Sequence, residues 1–284
     1  MTNQQCRDLH SLCQHAIDCV RLMSVAHHSA KWQGADIAKN PSFKAYEVLH
    51  VHIMAPFMGT DLQYYREQIN PNLPWADDHF EERVSGLPLN PGDEWRRWPW
   101  GKNADKFRID PAAVEDMDTL EPVFDHTYQQ RYWPKFAGHY TTPPQAQWVN
   151  RGIYFPYGDL NDVVEELYHD PGTRQAILPV FFPEDTGYRP GRRKPCSLFY
   201  HFQLALRHEK PQLDIVYSIR SCDLIRHFRD DVYLTVRLLI WVLLKLREKN
   251  PEYWDTVIPG MFVMLIDNLH IFVNDWHMIQ EDKV

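Results

Sequence analysis

The chain has 284 residues, of which 44% are hydrophobic and 24% are charged, and it carries a net charge of −8. This composition is typical of a folded domain and excludes a disordered or fibrous chain, and the negative charge argues against a nucleic-acid polymer as partner. The longest apolar run, 238–244, is far shorter than the roughly 20 residues of a membrane span, so no membrane segment is predicted. The N-terminus lacks the pattern of a secretory signal and the five cysteines form no C-x-x-C pair, so we expect a cytoplasmic protein with free thiols and no metal site.

The first third of the chain is predicted to be mainly helical. Apolar residues in 9–28 recur at helical spacing, and 43–58 looks like a second, buried helix. We therefore expect a divergent helical region over about residues 1–60. The stretch at about 70–112 is rich in proline, tryptophan and charge and is interpreted as an irregular insertion.

The rest of the chain mixes helices with strands. The predicted helices are 160–169 and 230–249, and the predicted strands are 176–182, 197–207, 213–219 and 262–272. Because the order shows no regular βαβ alternation, the predicted class is α+β, and residues 1–284 are interpreted as a single domain.

Two short segments carry the residue types of a reactive site. Cys196 follows three cations, 192–194, and cations next to a thiol lower its pKa and favour the thiolate. The alternative is a core cysteine beside a basic surface loop. The pair Arg220 and Ser221 offers a guanidinium fork and a hydroxyl, which suit a phosphate monoester, although an ordinary surface ion pair would use the same residues.

Five segments stand in a definite order along the chain. They are 124–131 (FDHTYQQR), 162–185 (DVVEELYHDPGTRQAILPVFFPED), 195–202 (PCSLFYHF), 217–223 (YSIRSCD) and 268–272 (NLHIF). In that order they are similar to five motifs of thymidylate synthases: Tyr-Gly-Lys-x-x-Arg, a helix with an Asn-Pro-x-Ser-Arg-Arg turn, the Pro-Cys-His nucleophile strand, Tyr-Gln-Arg-Ser-x-Asp, and Asp-x-His-x-Tyr. From about residue 120 to 275 the chain thus resembles the thymidylate synthase superfamily, and it is most like the deoxycytidylate hydroxymethylase branch.

The resemblance implies a thymidylate synthase-like α+β fold, in which a mixed sheet packed with helices forms a homodimer through the sheet. It also implies shared active sites, with Arg174 reaching the phosphate bound by the partner subunit. Cys196 would be the nucleophile that adds to carbon 6 of a pyrimidine, and Tyr128 would assist proton transfer near the base. The remaining substrate-binding positions are Arg220 and Ser221 for the phosphate, Asp223, and His270 for the sugar.

The resemblance makes 5,10-methylenetetrahydrofolate the expected cofactor, with Asp223 as one of the residues that bind it. Arg226 and His227 depart from the family here, because they stand where it has a folate-contacting Leu-Gly. The family's catalytic glutamate corresponds to Glu47 on the predicted second helix or, by its spacing from a following glycine, to His52.

Asp231 is the position that bears on the choice of base. Counted without gaps from 217–223, it falls where the family has the asparagine that reads uracil. That asparagine accepts from N3–H of uracil and donates to O4, and cytosine reverses both groups. A carboxyl group matches cytosine, because it accepts from the N4 amino group and donates a proton toward N3. In the superfamily, aspartate at this position marks the enzymes that act on cytidylate. The alternatives are that Asp230 and Asp231 cap a helix, or that the alignment slips by one residue to Asp230.

We therefore predict a transferase that moves a one-carbon unit to carbon 5 of a (deoxy)cytidylate through a covalent adduct, with hydroxymethylation as the preferred outcome. The predicted catalytic residues are Cys196, Tyr128, Asp231 and Glu47. The expected partners are a pyrimidine nucleoside monophosphate and a second copy of the chain. The alternatives are C5-methylation of dCMP or dUMP, and a non-catalytic homologue that binds nucleotide.

Overall fold

The computed structural model describes residues 2–32, 35–90, 92, 94–97, 99, 126–135, 157–187 and 193–280. Its strands are β1 (Thr2–Gln5), β2 (Val25–Ala26), β3 (Lys31–Trp32), β4 (Ala35–Asp36), β5 (Ala45–Pro56), β6 (Ile177–Pro179), β7 (Ser197–Arg207), β8 (Lys210–Ile219), β9 (Cys222–Asp223) and β10 (Ile258–Phe272). β3 and β4 pair with each other, and the other eight strands form one mixed sheet in the order β1-β5-β10-β8-β7-β6, with β2 beside β5 and β9 beside β10.

The helices are α1 (Leu9–Met23), α2 (Leu62–Ile69), α3 (Trp75–Arg83), α4 (Tyr128–Tyr132), α5 (Leu160–His169), α6 (Phe228–Lys249), α7 (Pro251–Trp254) and α8 (His277–Gln280). Capping boxes begin α1 at Asp8 and α5 at Asp159, so the first amides of both helices have acceptors. α6 is apolar around most of its circumference and packs against β8, β10, α2, α3 and α5. It is therefore the central helix of the core.

The strand register brings distant segments of the sequence to one end of the sheet. β7 begins where the antiparallel β8 ends, so Ser197 lies opposite Ile219. The end of β10 runs parallel to β9 and antiparallel to β5, so His270 lies between Asp223 and Glu47. The thiol segment before β7 and the polar residues of β9 and β10 consequently meet at this end.

Buried and half-buried residues alternate along β7, β8 and β10, so one face of the sheet packs in the core and the other does not. The half-buried series, which we call the outer face, includes Phe199, His201, Gln203, Val216, Val263 and Leu265, and Asp214 opposite Gln203. Phe199, Val216, Val263 and Leu265 are apolar, so the outer face carries half-buried apolar side chains.

The prediction of a second helix at 43–58 is wrong, because this segment forms β5. The buried Val48 and Val51 are three residues apart, as in a helix, whereas Val51 and Ile53 alternate as in a strand. His50 has a φ of 57° and interrupts the alternation. Pairing with β10 along the whole segment overrides the local pattern. Of the helical region predicted over about residues 1–60, the described α-helix is α1.

Other predicted elements fare differently. The helices at 160–169 and 230–249 and the strands at 197–207, 213–219 and 262–272 are confirmed as α5, α6, β7, β8 and β10. The strand at 176–182 is limited to β6. The insertion at 70–112 is not irregular throughout, because it contains α3, and residues 100–112 lie outside the described residues. Among the described helices, none combines the length and apolar character that a membrane crossing needs.

Candidate active site

Cys196 lies directly before β7 and is exposed to solvent. Its carbonyl accepts a hydrogen bond of 2.9 Å from the amide of Arg220. The Arg220 guanidinium donates from Nε to the carbonyl of Pro195 (2.8 Å) and from Nη2 to the carbonyl of Lys194 (2.9 Å). Arg220 therefore holds the segment that carries the thiol, and the structure brings these two predicted residues together.

The prediction that neighbouring cations lower the pKa of Cys196 is wrong in its net direction. Although the residue is exposed, the surrounding protein removes water from the thiolate and raises the pKa of the thiol. Arg220 and Arg193 act in the opposite direction, and Asp231 adds to the rise. Arg192, the first of the three cations, lies outside the described residues. The thiol is therefore mostly protonated near neutral pH.

Three hydroxyl groups form a chain below the start of β7. Ser197 Oγ lies 2.6 Å from the hydroxyl of Tyr217 and donates to the hydroxyl of Tyr128 at 3.2 Å. Ser197 is buried and stands where the family motif has a histidine. Burial raises the pKa of Tyr128, and the nearby Cys196 and Asp231 add to the rise. The phenol of Tyr128 thus keeps its proton and is tied to the residue next to the thiol.

Arg83 is a site residue that the sequence analysis missed. It is buried at the end of α3, and its guanidinium carbon lies 4.3 Å from the centroid of the Tyr128 ring. Its Nε donates to His79 Nε2 at 2.9 Å, and its charge acts on Asp231 of α6. No local pattern marks this arginine, because it lies in a stretch that was interpreted as an insertion and its partners are distant in sequence.

The two adjacent carboxylates of α6 have different surroundings. Asp230 is buried, and its oxygens accept from the backbone and side-chain amides of Asn72, both at 2.8 Å. Asp231 is half-buried, and its Oδ2 accepts from Cys222 Sγ at 3.7 Å. His227 precedes the helix and neither aspartate caps it. Neither side chain makes a cap hydrogen bond, and each oxygen of Asp230 already accepts one hydrogen bond from Asn72.

Burial raises the pKa of Asp231 from 3.8 to about 7, with Arg83 opposing the rise and Asp230 adding to it. A carboxyl group that titrates near neutral pH is available both as a donor and as an acceptor. Such a shift is common in binding sites and catalytic sites.

Asp223 and Arg226 form a second polar group at this end of the sheet. Asp223 Oδ1 accepts from the amides of Ile225 and Arg226, each at 3.0 Å, and burial raises the pKa of Asp223 to about 6. Arg226 contacts Asp275 at 2.7 Å, and its guanidinium carbon lies 4.6 Å from the ring centroid of Phe272. The position of the family's folate-contacting Leu-Gly thus holds an anchored arginine.

Glu47 lies on β5, not on a helix as predicted, and faces His270 of β10. Glu47 Oε2 is 2.5 Å from His27 Nδ1 and accepts from the side-chain amide of Asn268. Burial lowers the pKa of His270 to about 4, so its imidazole is neutral at pH 7. Glu47 therefore belongs to a fixed polar cluster around the predicted sugar contact, His270.

The remaining predicted residues lie in separate places. Ser221 is half-buried directly after β8. Arg174 lies in the exposed turn between α5 and β6, and none of the described contacts joins it to the thiol segment. His52, the alternative to Glu47, lies opposite Leu265 and hence on the outer face. Within the described ranges, no group of three His, Cys, Asp or Glu residues could hold a metal ion.

The architecture that surrounds this site is that of thymidylate synthase. The thermostable thymidylate synthase A from Bacillus subtilis matches with a TM-score of 0.53 over 98% of this chain and 83% of that chain, at 11% sequence identity. At so low an identity the match establishes the fold, and it confirms the predicted thymidylate synthase-like α+β class.

A relative in sequence points the same way. Over 129 residues the chain is 29% identical to the deoxyuridylate hydroxymethyltransferase of Bacillus phage SP01. The matched segment covers 45% of this chain and 30% of that protein. No family model matches the chain. The fold and this relative together support the resemblance to the thymidylate synthase superfamily. The relative is named as a hydroxymethyltransferase of deoxyuridylate, whereas the predicted branch acts on deoxycytidylate.

Proposed function

We propose that the chain transfers a one-carbon unit to carbon 5 of a pyrimidine nucleotide and that its favoured reaction is hydroxymethylation of a (deoxy)cytidylate. The observation that carries the proposal is the exposed Cys196 thiol, which Arg220 holds at the end of the sheet within the electrostatic influence of Asp231. The thymidylate synthase fold and the similarity to a deoxyuridylate hydroxymethyltransferase support this class of reaction.

Cys196 makes carbon 5 reactive. Addition of its thiolate to carbon 6 forms an S–C bond and moves the electron pair of the carbon 5–carbon 6 double bond to carbon 5. Carbon 5 would then bond to the one-carbon unit, and loss of the carbon 5 proton would break the bond between that unit and the nitrogen of its carrier, which leaves an exocyclic methylene group while Cys196 is still bound to carbon 6. In hydroxymethylation, water adds to this methylene group, the electron pair moves to restore the carbon 5–carbon 6 double bond, and the thiolate leaves.

The surrounding residues support the proton movements of this sequence. The raised pKa of Cys196 means that the thiol must lose its proton as it attacks, and Arg220 and Arg193 supply positive charge that stabilises the thiolate as it forms. Tyr128 keeps its phenolic proton and is the candidate donor near the base, held by Ser197.

Asp231 supports cytosine as the base. A neutral carboxyl group offers a donor to N3 and an acceptor to the N4 amino group, and the pKa of about 7 makes the neutral form available at physiological pH. The second candidate function is hydroxymethylation of deoxyuridylate, which the name of the phage relative favours.

The proposed one-carbon donor is 5,10-methylenetetrahydrofolate, which would supply carbon at the oxidation level of formaldehyde. Asp223 fits such a ligand, because its buried carboxyl uses Oδ1 for two backbone amides, and Oδ2, which lies 3.7 Å from Arg226 Nε, has lone pairs that can accept from ring N–H groups. Arg226 alters the neighbouring contact relative to the family, and its anchoring by Asp275 keeps it in place.

A homodimer through the outer face is part of the proposal. The apolar residues of the outer face are half-buried, and His201 Nε2 is buried without a hydrogen-bond partner among the described residues. A second copy would cover these groups and supply polar partners. Arg174 would then serve the phosphate of the neighbouring subunit.

The test is release of tritium from carbon 5-labelled dCMP and dUMP, each with and without 5,10-methylenetetrahydrofolate. Faster release from dCMP, increased by the folate, is the expected result. Faster release from dUMP selects the second candidate function. Nucleotide binding without release from either substrate would mean a non-catalytic homologue.

A further inference from the structure

Cys222 has no part in the mechanism above, yet it contacts Asp231 directly. Its Sγ lies 3.7 Å from Asp231 Oδ2, within range of an S–H···O hydrogen bond, and 4.0 Å from the carbonyl oxygen of Asp223. The residue is buried on β9, and burial raises the pKa of its thiol well above the usual value. The thiol therefore keeps its hydrogen and is a donor next to the carboxyl.

We propose that Cys222 is a positioning residue that selects the base by fixing the hydrogen-bond pattern of Asp231. The proposal rests on the function proposed above, in which Asp231 reads the base. Because the thiol donates to Oδ2, Oδ2 remains an acceptor and the proton of the neutral carboxyl lies on Oδ1. Oδ1–H then faces N3 of cytosine while a second lone pair of Oδ2 accepts from the N4 amino group.

Removal of the thiol donor frees the carboxyl proton to occupy either oxygen. With the proton on Oδ2, the donor and the acceptor exchange places and no longer match cytosine. Uracil presents a donor at N3 and an acceptor at carbon 4, so it gains nothing from the pattern that Cys222 imposes. The thiol consequently contributes to discrimination between the two bases rather than to binding of both.

Among the described residues, the hydrogen bond given to the carboxyl group of Asp231 is that from Cys222, and the other nearby groups act on it through charge. Asp230 is engaged by Asn72, and Arg83 lies over the ring of Tyr128. The titratable and charged groups that act on Asp231 are Arg83 on α3, Tyr128 and Tyr132 on α4, Cys196 before β7, Tyr200 on β7, Tyr217 on β8, Cys222 and Asp223 on β9, and Asp230 on α6.

The test compares Cys222→Ala and Cys222→Ser with wild type, with Cys13→Ala as the control for loss of a buried thiol on α1. For each protein, kcat/KM for dCMP and dUMP is measured against pH, and Tm is recorded. Cys222→Ala is expected to lower the dCMP:dUMP ratio about tenfold, the effect of one lost hydrogen bond. Cys222→Ser keeps a donor and is expected to hold the ratio within about threefold.

The pH profile separates this role from a purely structural one. The thiol bond stabilises the ionised form of Asp231, so its removal raises the pKa of the carboxyl and moves the high-pH decline of dCMP activity upward. Cys222→Ser and Cys13→Ala are expected to leave that decline where wild type has it.

An unchanged ratio and an unshifted pH profile in folded Cys222→Ala would overturn the proposal. If this variant does not fold, Cys222→Val fills the space without a donor and gives the same comparison. A wild-type protein that prefers dUMP would overturn the reading by Asp231 itself. If wild type prefers dCMP and the Cys222 variants keep the same dCMP:dUMP ratio of kcat/KM, the role of Cys222 is overturned while the reading of the base by Asp231 stands.

Discussion

The pKa of the Cys196 thiol is set by two opposing effects, desolvation and the charge of nearby arginines. The protein mass around the thiol raises its pKa, while Arg220 and Arg193 lower it through their charge. Because Arg220 also binds the carbonyls of Lys194 and Pro195, the same side chain holds the segment of the proposed nucleophile and favours ionisation of its thiol. Loss of Arg220 would therefore affect both the position and the reactivity of the thiol.

Cys196→Ala is expected to reduce release of the carbon 5 proton to a trace, because no thiolate remains to add to carbon 6. Nucleotide affinity, measured by titration calorimetry, should change little, since the predicted phosphate and base contacts are on other residues. The buried Cys19→Ala is the control and should retain activity. Substantial proton release from Cys196→Ala would exclude Cys196 as the nucleophile.

Asp231→Asn is expected to exchange the base preference. The amide presents a donor to the N4 amino group of cytosine, which leaves two buried donors facing each other at a cost of about 1–3 kcal/mol each. We expect kcat/KM for dCMP to fall roughly 10- to 100-fold and that for dUMP to rise. Equal loss on both nucleotides would instead assign Asp231 a structural role.

The pH dependence of the same residue has a definite sign. The pKa of Asp231 is raised to about 7, so the neutral, proton-donating form prevails below that pH and is lost above it. Wild-type kcat/KM for dCMP should therefore decline as the pH rises through about 7, and Asp231→Asn should lack this decline. The two profiles, measured with the same nucleotide, provide the comparison.

The sequence indicated the candidate site residues that lie in motifs, such as Cys196 and Arg220, and Asp231 by counting on from one of them. It did not predict Arg83 or the contact between Cys222 and Asp231. These depend on how α3 and β9 pack against α6, and such long-range contacts leave no local periodicity. The net direction of the Cys196 pKa shift could not be predicted from the sequence, because desolvation depends on the surrounding fold and not on neighbouring charges in the chain.

At the scale of elements, Asp77 joins three helices. On α3, it contacts Arg66 of α2 at 2.7 Å and Arg237 of α6 at 2.7 Å, and it accepts from the hydroxyl of Tyr233, also on α6, at 2.6 Å. Arg237 is itself buried. Asp77 thus fixes the packing of the helices that carry Arg83 and Asp231.

Asp77→Asn is expected to lower the free energy of unfolding by about 2 kcal/mol, because charge-assisted bonds to two arginines are lost. The reduction is smaller than for a fully buried pair, since the Asp77 side chain is 22% exposed. Asp18→Asn removes a charge whose contacts are a 3.5 Å ion pair with Arg21 and a 3.3 Å hydrogen bond from Gln14 on the same helix. It is the matched control and should change stability by less than about 0.5 kcal/mol. Urea denaturation measures both, and equal effects would show that the Asp77 contacts add nothing.

Sequence patterns predicted elements well where one period dominates. α6 is long and apolar, and β7 and β8 form a hairpin of neighbouring segments, so local information suffices. β5 was mistaken for a helix because its buried residues change from a spacing of three to a spacing of two. Its strand conformation depends on β10, more than two hundred residues away, and no local window contains that partner.

For the whole molecule, subunit mixing tests the shared site. In the proposed homodimer, Cys196→Ala and Arg174→Ala should each impair activity, whereas a mixed dimer would contain one site with both residues intact. After subunit exchange, activity should recover to roughly a quarter of wild type, because half of the dimers are mixed and half of their sites are intact. Exchange without recovery would mean that Arg174 does not serve the partner subunit.

The pairing of β5 with β10 also has a consequence for biogenesis. In the described part of the chain, β5 is flanked by β1 and β2 near the N-terminus and by β10 near the C-terminus. During synthesis, the β10 side of β5 therefore stays open until residue 272 has left the ribosome. An unpaired strand edge is a template for association between chains, and such non-local pairing makes folding slow. The nascent protein therefore exposes an unpaired edge of β5 for most of its synthesis, and this edge is a surface to which chaperones can bind.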